Sequence, residues 1–256
     1  MNSIDYTIEE MEASPLALSK KQRSHILFVL SNSLSEKNSD FLDWYKGDYL
    51  QAMAKLDMVV SAQHFEQHEV DVTMGNYPPP EFQYLGMYEL SLDGADEAKD
   101  IIRKITDSHK MEKMSYPPAT WLYYPICEKV GRSAKAISPM VTIAFANSTP
   151  GSEAEFREWY CTRHIRHALN LTGFASGQCF ELTNFQKPGS ANPTYNTIAL
   201  YEQEGTPQEF LNFLASLPED RAVELTKILK FPTLDATRFG ECFYRPITEK
   251  IPSNNE

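Results

Sequence analysis

The sequence predicts an α+β fold made of two successive β-α-β-β-α-β units whose sheets face each other within one chain. Two observations carry this expectation. The chain is internally duplicated, and its strands are apolar on both faces, so each sheet needs a cover on each side.

The duplication is legible residue by residue. Residues 26–66 align without a gap on residues 141–181, an offset of 115. Ten positions are identical: Asn32/Asn147, Ser33/Ser148, Phe41/Phe156, Trp44/Trp159, Tyr45/Tyr160, Leu56/Leu171, Ser61/Ser176, Gln63/Gln178, Phe65/Phe180 and Glu66/Glu181. By average residue usage, two unrelated segments of that length share about two or three. Tyr88-Glu89 and Tyr201-Glu202 extend the match at an offset of 113.

Taken in order, residues 1–23 are polar and acidic without a sustained period, which predicts an extension outside the folded units. Ile26-Leu27-Phe28-Val29-Leu30 reads as a strand buried on both faces. A helix with Trp44-Tyr45 follows to about residue 56, then a strand over 59–66 and a turn-rich insertion over 68–80 that ends in three prolines. A strand over 82–90, a helix over 95–108 with Ala98, Ile101, Ile102 and Ile105 at helical spacing, and an aromatic-rich strand over 120–126 complete the first unit. The segment 128–138, with Gly131 and mixed charge, is the expected boundary.

The second unit repeats the order. Strands are expected over 140–147, 175–182, 197–201 and 237–244. The first helix spans 153–171, with a capping-box signature at Ser152 and Glu155 and Gly173 as its stop. The second helix runs from about 207 to 229 with an interruption near Pro218. The tail after Pro246 is expected to fray. The units are therefore residues 24–130 and 136–248, each with the ferredoxin-like order.

Composition bounds the function. The 256 residues carry a formal net charge of −11, which speaks against nucleic acid or an anionic membrane as partner. No apolar run is long enough to span a bilayer, and residues 1–11 lack the basic and apolar regions of a signal peptide, so a cytoplasmic protein is expected. Cys127, Cys161, Cys179 and Cys242 lie far apart without C-x-x-C spacing, which suits reduced thiols better than disulfides or a zinc site. No glycine-rich loop precedes either unit's first helix, so nucleotide binding has no support.

With Glu155-Phe156-x-x-Trp159-Tyr160-x-x-x-His164 followed by Gly173-Phe174-x-Ser176, the chain resembles a tandem member of the dimeric α+β barrel superfamily, in its EthD-like branch. The resemblance covers residues 24–246. It implies one intramolecular barrel where relatives pair two chains, and hence a monomer or a loose homodimer. It also implies a small-molecule pocket between a sheet and its own helices, with His164 facing it. Relatives include cofactor-free cyclases, decarboxylases, isomerases and quinone-forming monooxygenases, and some haem enzymes. In the first half Tyr49 stands at the position of His164 and Asp48 at that of Arg163, so the pocket is expected in the second half.

The residues make their own case for acid/base chemistry. Phe156, Tyr160, His164 and Ala168 share a helix face, so an apolar stripe runs into an imidazole whose burial keeps it neutral, the form of a general base. Tyr160 stands one turn away, and Asn147, at a strand end, offers an amide to an enolate oxygen. His164, Tyr160 and Asn147 are the candidate catalytic residues. Arg163, to orient a carboxylate or phenolate, His167, Trp159, Gln178 and Phe156 are the candidate substrate-binding residues. The aromatic, Asn and Gln positions recur in the first half, which favours packing or capping for them. His164-x-x-His167 lacks a third ligand at recognisable spacing, so no metal is assigned.

The expected function is a cofactor-independent acid/base enzyme of the cyclase, isomerase, dehydratase or decarboxylase type. Its substrate is a small apolar or aromatic carbonyl compound of polyketide-like character. The alternatives are a non-catalytic module that binds a small molecule or protein, and a haem- or oxygen-dependent monooxygenase, in which His164 would be the axial ligand or the base.

Overall fold

The computed structural model describes residues 23–33, 38–73, 75–77, 81–106, 113–114, 118–186, 195–223 and 232–252. Apart from Arg23, the expected N-terminal extension lies outside them. The first unit comprises β1 (His25–Ser31), a helix α1 over 38–54, β2 (Val59–Gln67), β3 (Tyr84–Leu90), α2 (Ala95–Ile105) and β4 (Ala119–Pro125). A two-residue strand, β5 (Val130–Gly131), leads to the second unit: β6 (Met140–Ala146), a helix α3 over 153–169, β7 (Phe174–Leu182), β8 (Thr197–Gln203), α4 (Pro207–Ser216) and β9 (Gly240–Pro246). The short β10 (Ile251–Pro252) comes last.

Both halves have the β-α-β-β-α-β order, and the two four-stranded sheets join into one closed antiparallel barrel. The strand path is β2-β3-β1-β4-β7-β8-β6-β9, and β9 returns to β2. The closure has two equivalent seams. In one, Tyr123, Tyr124 and Pro125 pair with Leu182, Glu181 and Phe180; in the other, Tyr244, Arg245 and Pro246 pair with Gln67, Glu66 and Phe65. The repeated Phe65/Phe180 and Glu66/Glu181 are thus seam residues. Arg245 holds Glu66 at 2.6 Å, and the Tyr124 hydroxyl donates to Glu181 at 2.8 Å.

Strand alternation divides the chain into three cores. One set of side chains points into the barrel: Phe28, Phe65, Trp121 and Tyr123 meet Phe145, Phe180, Ile198 and Tyr244 from the other half. The opposite set lies under the helices, as a first-half core with α1 and α2 and a second-half core with α3 and α4. This is why the strands read as apolar on both faces, and each buried large side chain contributes about 1.5–3 kcal/mol.

A polar cluster inside the sheet repeats too. The Glu89 carboxylate accepts from Ser61 at 2.5 Å, Lys250 at 2.7 Å and Arg23 at 3.0 Å. Its counterpart Glu202 accepts from Ser176 and Lys129, both at 2.8 Å. Burial alone would raise the Glu89 pKa, but Lys250 and Arg23 outweigh it and hold the carboxyl below its ordinary value.

Three expectations are corrected. The tail after Pro246 does not fray as far as residue 252, because β10 pairs with β2 and Lys250 is buried against Glu89. The Ser152 side chain makes no capping bond; the Gly151 N–H donates to Glu153 instead, and the full capping box stands at Thr206 and Glu209. The segment 128–138 is more than a connection, since β5 pairs with β7 at Gly177 and Ser176, as β10 does with β2. The interruption near Pro218 is present. Leu217 adopts an extended conformation, as a residue before proline does, and helix resumes over 219–223.

Glu89→Gln leaves two buried cations without their counter-charge and is expected to cost ~3–5 kcal/mol in urea denaturation. Because the folded-state pKa of Glu89 is depressed, its contribution is present above the unfolded carboxylate value and is lost as pH falls through the folded one. A wild-type acid limb of stability that the variant shares unchanged would contradict this.

Candidate active site

Helix α3 is not uniform. It is α-helical over Glu153–Trp159, widens into a π-helical turn at Tyr160–His164 and returns to α-helix over Ile165–Leu169. Helix α1 has the same turn at Tyr45–Tyr49, so the widening belongs to the duplicated fold. On this helix Phe156, Tyr160 and His164 form a stacked ladder with ring centroids 4.9 and 4.8 Å apart, and Trp159 lies 4.8 Å from the imidazole.

Trp159, Tyr160 and His164 form one wall of a cavity of about 300 Å³ between the outer face of the second-half sheet and its helices. That is the lower end of the range of about 300–1,000 Å³ usual for small-molecule sites. Ala144, Tyr201 and Glu241 line it from the strands, and Ala168, Phe174, Phe210 and Leu214 from the helices and the start of β7. The wall from the second half is mostly apolar, with four groups suited to proton chemistry: Tyr160, His164, Tyr201 and Glu241.

One side of the cavity belongs to the first half. Val72, Thr73, Asn76 and Tyr77, from the insertion between β2 and β3, line it as well. The insertion is tied to the second half by the His68 N–H, which donates to the Phe243 carbonyl at 2.8 Å, and by Tyr77, which packs edge-on against Phe239. Asp71 shapes it, accepting from the Thr73 N–H and hydroxyl and from the Gly75 N–H at 2.6–2.8 Å.

The halves diverge at the positions that shape this space. Ala144 and Glu241 are cross-strand partners, and their first-half counterparts, also partners, are Val29 and Thr120. His164 replaces Tyr49, and Cys179 replaces His64. In the first half His64 is fully buried, bonded to the Tyr45 carbonyl at 2.8 Å and to the Tyr88 hydroxyl at 2.7 Å, and stacked on Tyr45. Three of these first-half side chains, Val29, Tyr49 and His64, are larger than their second-half counterparts. Gly177 helps as well: a Cβ at this position would stand 2.7 Å from the Tyr201 ring.

Electrostatics separates the four groups. Burial, followed by the neighbouring His167, lowers the His164 pKa to about 3, so the imidazole is neutral at pH 7 and a weak base. Its Nδ1 has no hydrogen-bond partner among the described residues, and neither do the Tyr160 and Tyr201 hydroxyls. Desolvation raises both phenols well above their ordinary value, and the Glu241 charge adds to it. Glu241 keeps partial accessibility, as a group facing a cavity does, yet the apolar groups packed round it hydrate it poorly, and desolvation raises its pKa to about 7.

Of the residues singled out in the sequence, His164, Tyr160 and Trp159 line the cavity. Phe156 is buried behind Tyr160 in the stack. Asn147 does not face the cavity: its amide donates to the Arg238 carbonyl, and its oxygen accepts from the Asn196 N–H, which is a loop-capping role. Gln178 likewise binds the Cys127 carbonyl at 2.9 Å and accepts from Arg23. Arg163 is exposed and His167 partly so, both outside the lining. Glu241 and Tyr201 were missed. The available signal was a carboxylate beside the otherwise apolar run Cys242-Phe243-Tyr244, since a charge in a buried strand needs a reason.

No protein-family model and no curated protein matches the chain. Solved structures do. An anthrone oxidase-like protein superposes with a TM-score of 0.58 at 11% identity, over 95% of this chain and 97% of the other. A protein classed as a monooxygenase from Fusobacterium nucleatum subsp. nucleatum gives 0.54 at 9% identity, over 90% and 96%. Another, from Lactobacillus acidophilus NCFM, gives 0.51 at 8% identity, over 90% and 97%. At these identities the likeness concerns the fold alone, a closed antiparallel barrel with helices packed outside it.

The raised Glu241 pKa has a consequence for stability that needs no substrate. A carboxyl that holds its proton more tightly when folded stabilises the fold at low pH, and this is lost as pH rises from the unfolded carboxylate value through about 7. Glu241→Gln is therefore expected to melt above wild type at pH 8 and to match it more closely at pH 5, as calorimetry at the two pH values would show. Asp71→Ala unties the insertion and is expected to lower the affinity of any cavity ligand severalfold with little change in melting temperature.

Proposed function

We propose that this barrel is a cofactor-independent acid/base enzyme that removes a proton from carbon next to the carbonyl of a small, largely apolar aromatic substrate. The observation that supports it most is the meeting, in the lining of one apolar cavity, of a carboxylate with pKa near 7 and three uncharged side chains, Tyr160, Tyr201 and His164, whose buried polar atoms have no partner among the described residues. A base whose pKa matches the working pH is the effective one, which favours Glu241 over His164 as the base.

In this reading the Glu241 carboxylate takes the α-proton and becomes a carboxylic acid, while the C–H electron pair moves into the enolate. Tyr160, Tyr201 and neutral His164 donate to the carbonyl oxygen as it gains charge. Buried hydroxyls left unpaired cost about 1–3 kcal/mol each, so the charged intermediate satisfies donors the free protein leaves unsatisfied. Reprotonation at another carbon gives isomerisation, and attack on a second carbonyl gives cyclisation.

A second reading continues from the same enolate. Reaction with dioxygen would convert a CH2 group into a carbonyl and release water, and the names of the anthrone oxidase-like and monooxygenase-class neighbours favour it. A haem reading has less support, because a metal-bound imidazole normally has its other nitrogen held by an acceptor and His164 Nδ1 has none among the described residues.

Proton abstraction is common to both readings and can be tested on its own. Aryl alkyl ketones such as acetophenone, incubated with the protein in D2O under argon, are expected to exchange their α-protons faster than with buffer alone. Exchange should rise with pH to a plateau above about 7 as Glu241 ionises. Glu241→Gln should lower the rate ~100-fold or more, and His164→Gln less. Undiminished exchange in a folded Glu241→Gln protein would remove the carboxylate from the mechanism. Admission of air then separates the two readings, since only the second consumes oxygen.

A further inference from the structure

The thiols of Cys127, Cys161 and Cys179 meet. Their three sulfurs lie within 4.8 Å of one another, although the residues are spread over 52 positions of the chain. Cys127 sits in the turn after β4, Cys161 in the π-helical turn of α3 and Cys179 in the middle of β7. The Ile126 N–H donates to the Cys179 carbonyl at 3.0 Å and pins the turn to the strand. All three are free thiols, and Cys127 and Cys161 are partly exposed, so the cluster has an approach from outside.

The duplicated half shows that the fold does not require sulfur here. The counterparts of Cys161 and Cys179 are Lys46 and His64. Thr248 occupies the place of Cys127: its hydroxyl oxygen accepts the His64 N–H at 3.0 Å, as the Cys127 sulfur accepts the Cys179 N–H at 3.4 Å, and Gln63 binds its carbonyl as Gln178 binds that of Cys127. Three positions that carry other residues in one half all carry cysteine in the other, around one point. Packing alone does not ask for that coincidence.

We propose that Cys127, Cys161 and Cys179 form a three-thiolate binding site for a soft metal ion, monovalent copper. Three sulfurs about 2.3 Å from a central ion stand about 4 Å apart, so the cluster needs to contract by less than about 1 Å. Soft thiolates select copper(I) or zinc, and zinc in structural sites takes four protein ligands. Among the described residues no fourth Cys, His, Asp or Glu donor joins the three, which favours the ion content with three. A disulfide would use two sulfurs, leave the third without a role and need an oxidant. Binding releases the thiol protons, so affinity rises with pH. The Cys179 N–H already points at the Cys127 sulfur, and a metal would brace the turn that carries Tyr160 and His164.

The test is a titration of the full-length, reduced protein with copper(I) under anaerobic conditions against a chromophoric copper(I) chelator. One equivalent is expected to leave the chelator, with a sulfur-to-copper charge-transfer band in the near ultraviolet. Cys127→Thr and Cys161→Lys restore first-half residues and should fold. Each is expected to weaken copper binding ~100-fold or more, since one of three ligands is lost. Failure of wild type to compete with the chelator would overturn the site, as would equal binding by either folded variant. Tetrahedral cobalt(II) bands held in preference to copper(I) would overturn the three-coordinate assignment.

Discussion

The closure of the sheet is the constraint on which the rest depends. Each ferredoxin-like half ends in a strand whose outer edge carries unpaired backbone groups, and each sheet has a second apolar face. Both problems are solved by the same pair of seams, where β4 meets β7 and β9 meets β2. Among the described residues every long strand then has a neighbour on both sides, and the inner faces close over a core shared by the two halves. Because that interior is filled by large side chains, space for a ligand has to lie outside the barrel wall, beneath the helices.

Closure also makes the halves unequal partners. The insertion after β2 leaves the first half beside the seam with β9 and reaches the cavity of the second, so Val72, Thr73, Asn76 and Tyr77 line a pocket whose acid/base groups come from the other unit. Duplication thus did more than supply a spare copy. One half packs Tyr49 and His64 in its core, while the other presents His164 and Glu241 to a cavity.

Within the pocket, low polarity sorts the titratable groups by charge type. Desolvation pushes the carboxyl up and the imidazole down, so Glu241 titrates near neutral pH while His164 stays uncharged across the whole physiological range. Both shifts have one cause, and in the function proposed above it divides the roles: the group that looks like a base in sequence would donate, and the one that looks like a misplaced surface charge would accept. The same helix turn carries Cys161, so one widened turn borders both the cavity and the thiol cluster.

The architecture was legible in sequence because it rests on local periodicity and on repetition. Two-faced apolar strands imply two covers, and a gapless repeat with Phe65/Phe180 and Ser61/Ser176, extended by Glu89/Glu202 at an offset of 113, implies two like halves; which of these residues form the seams and ion pairs appears only in the structure. His164, Tyr160 and Trp159 stood out because helical spacing places them on one face. Glu241, Tyr201 and the three clustered cysteines did not, since their neighbours come from strands and turns distant in the chain. Asn147 and Gln178 misled for the converse reason: a polar side chain at a strand end signals a bond, but whether its partner is a ligand or a backbone carbonyl depends on which loop folds over it. Helical and strand periods are properties of consecutive residues, whereas pockets, pKa values and ligand clusters are properties of what packing brings together, and only the tertiary structure decides those.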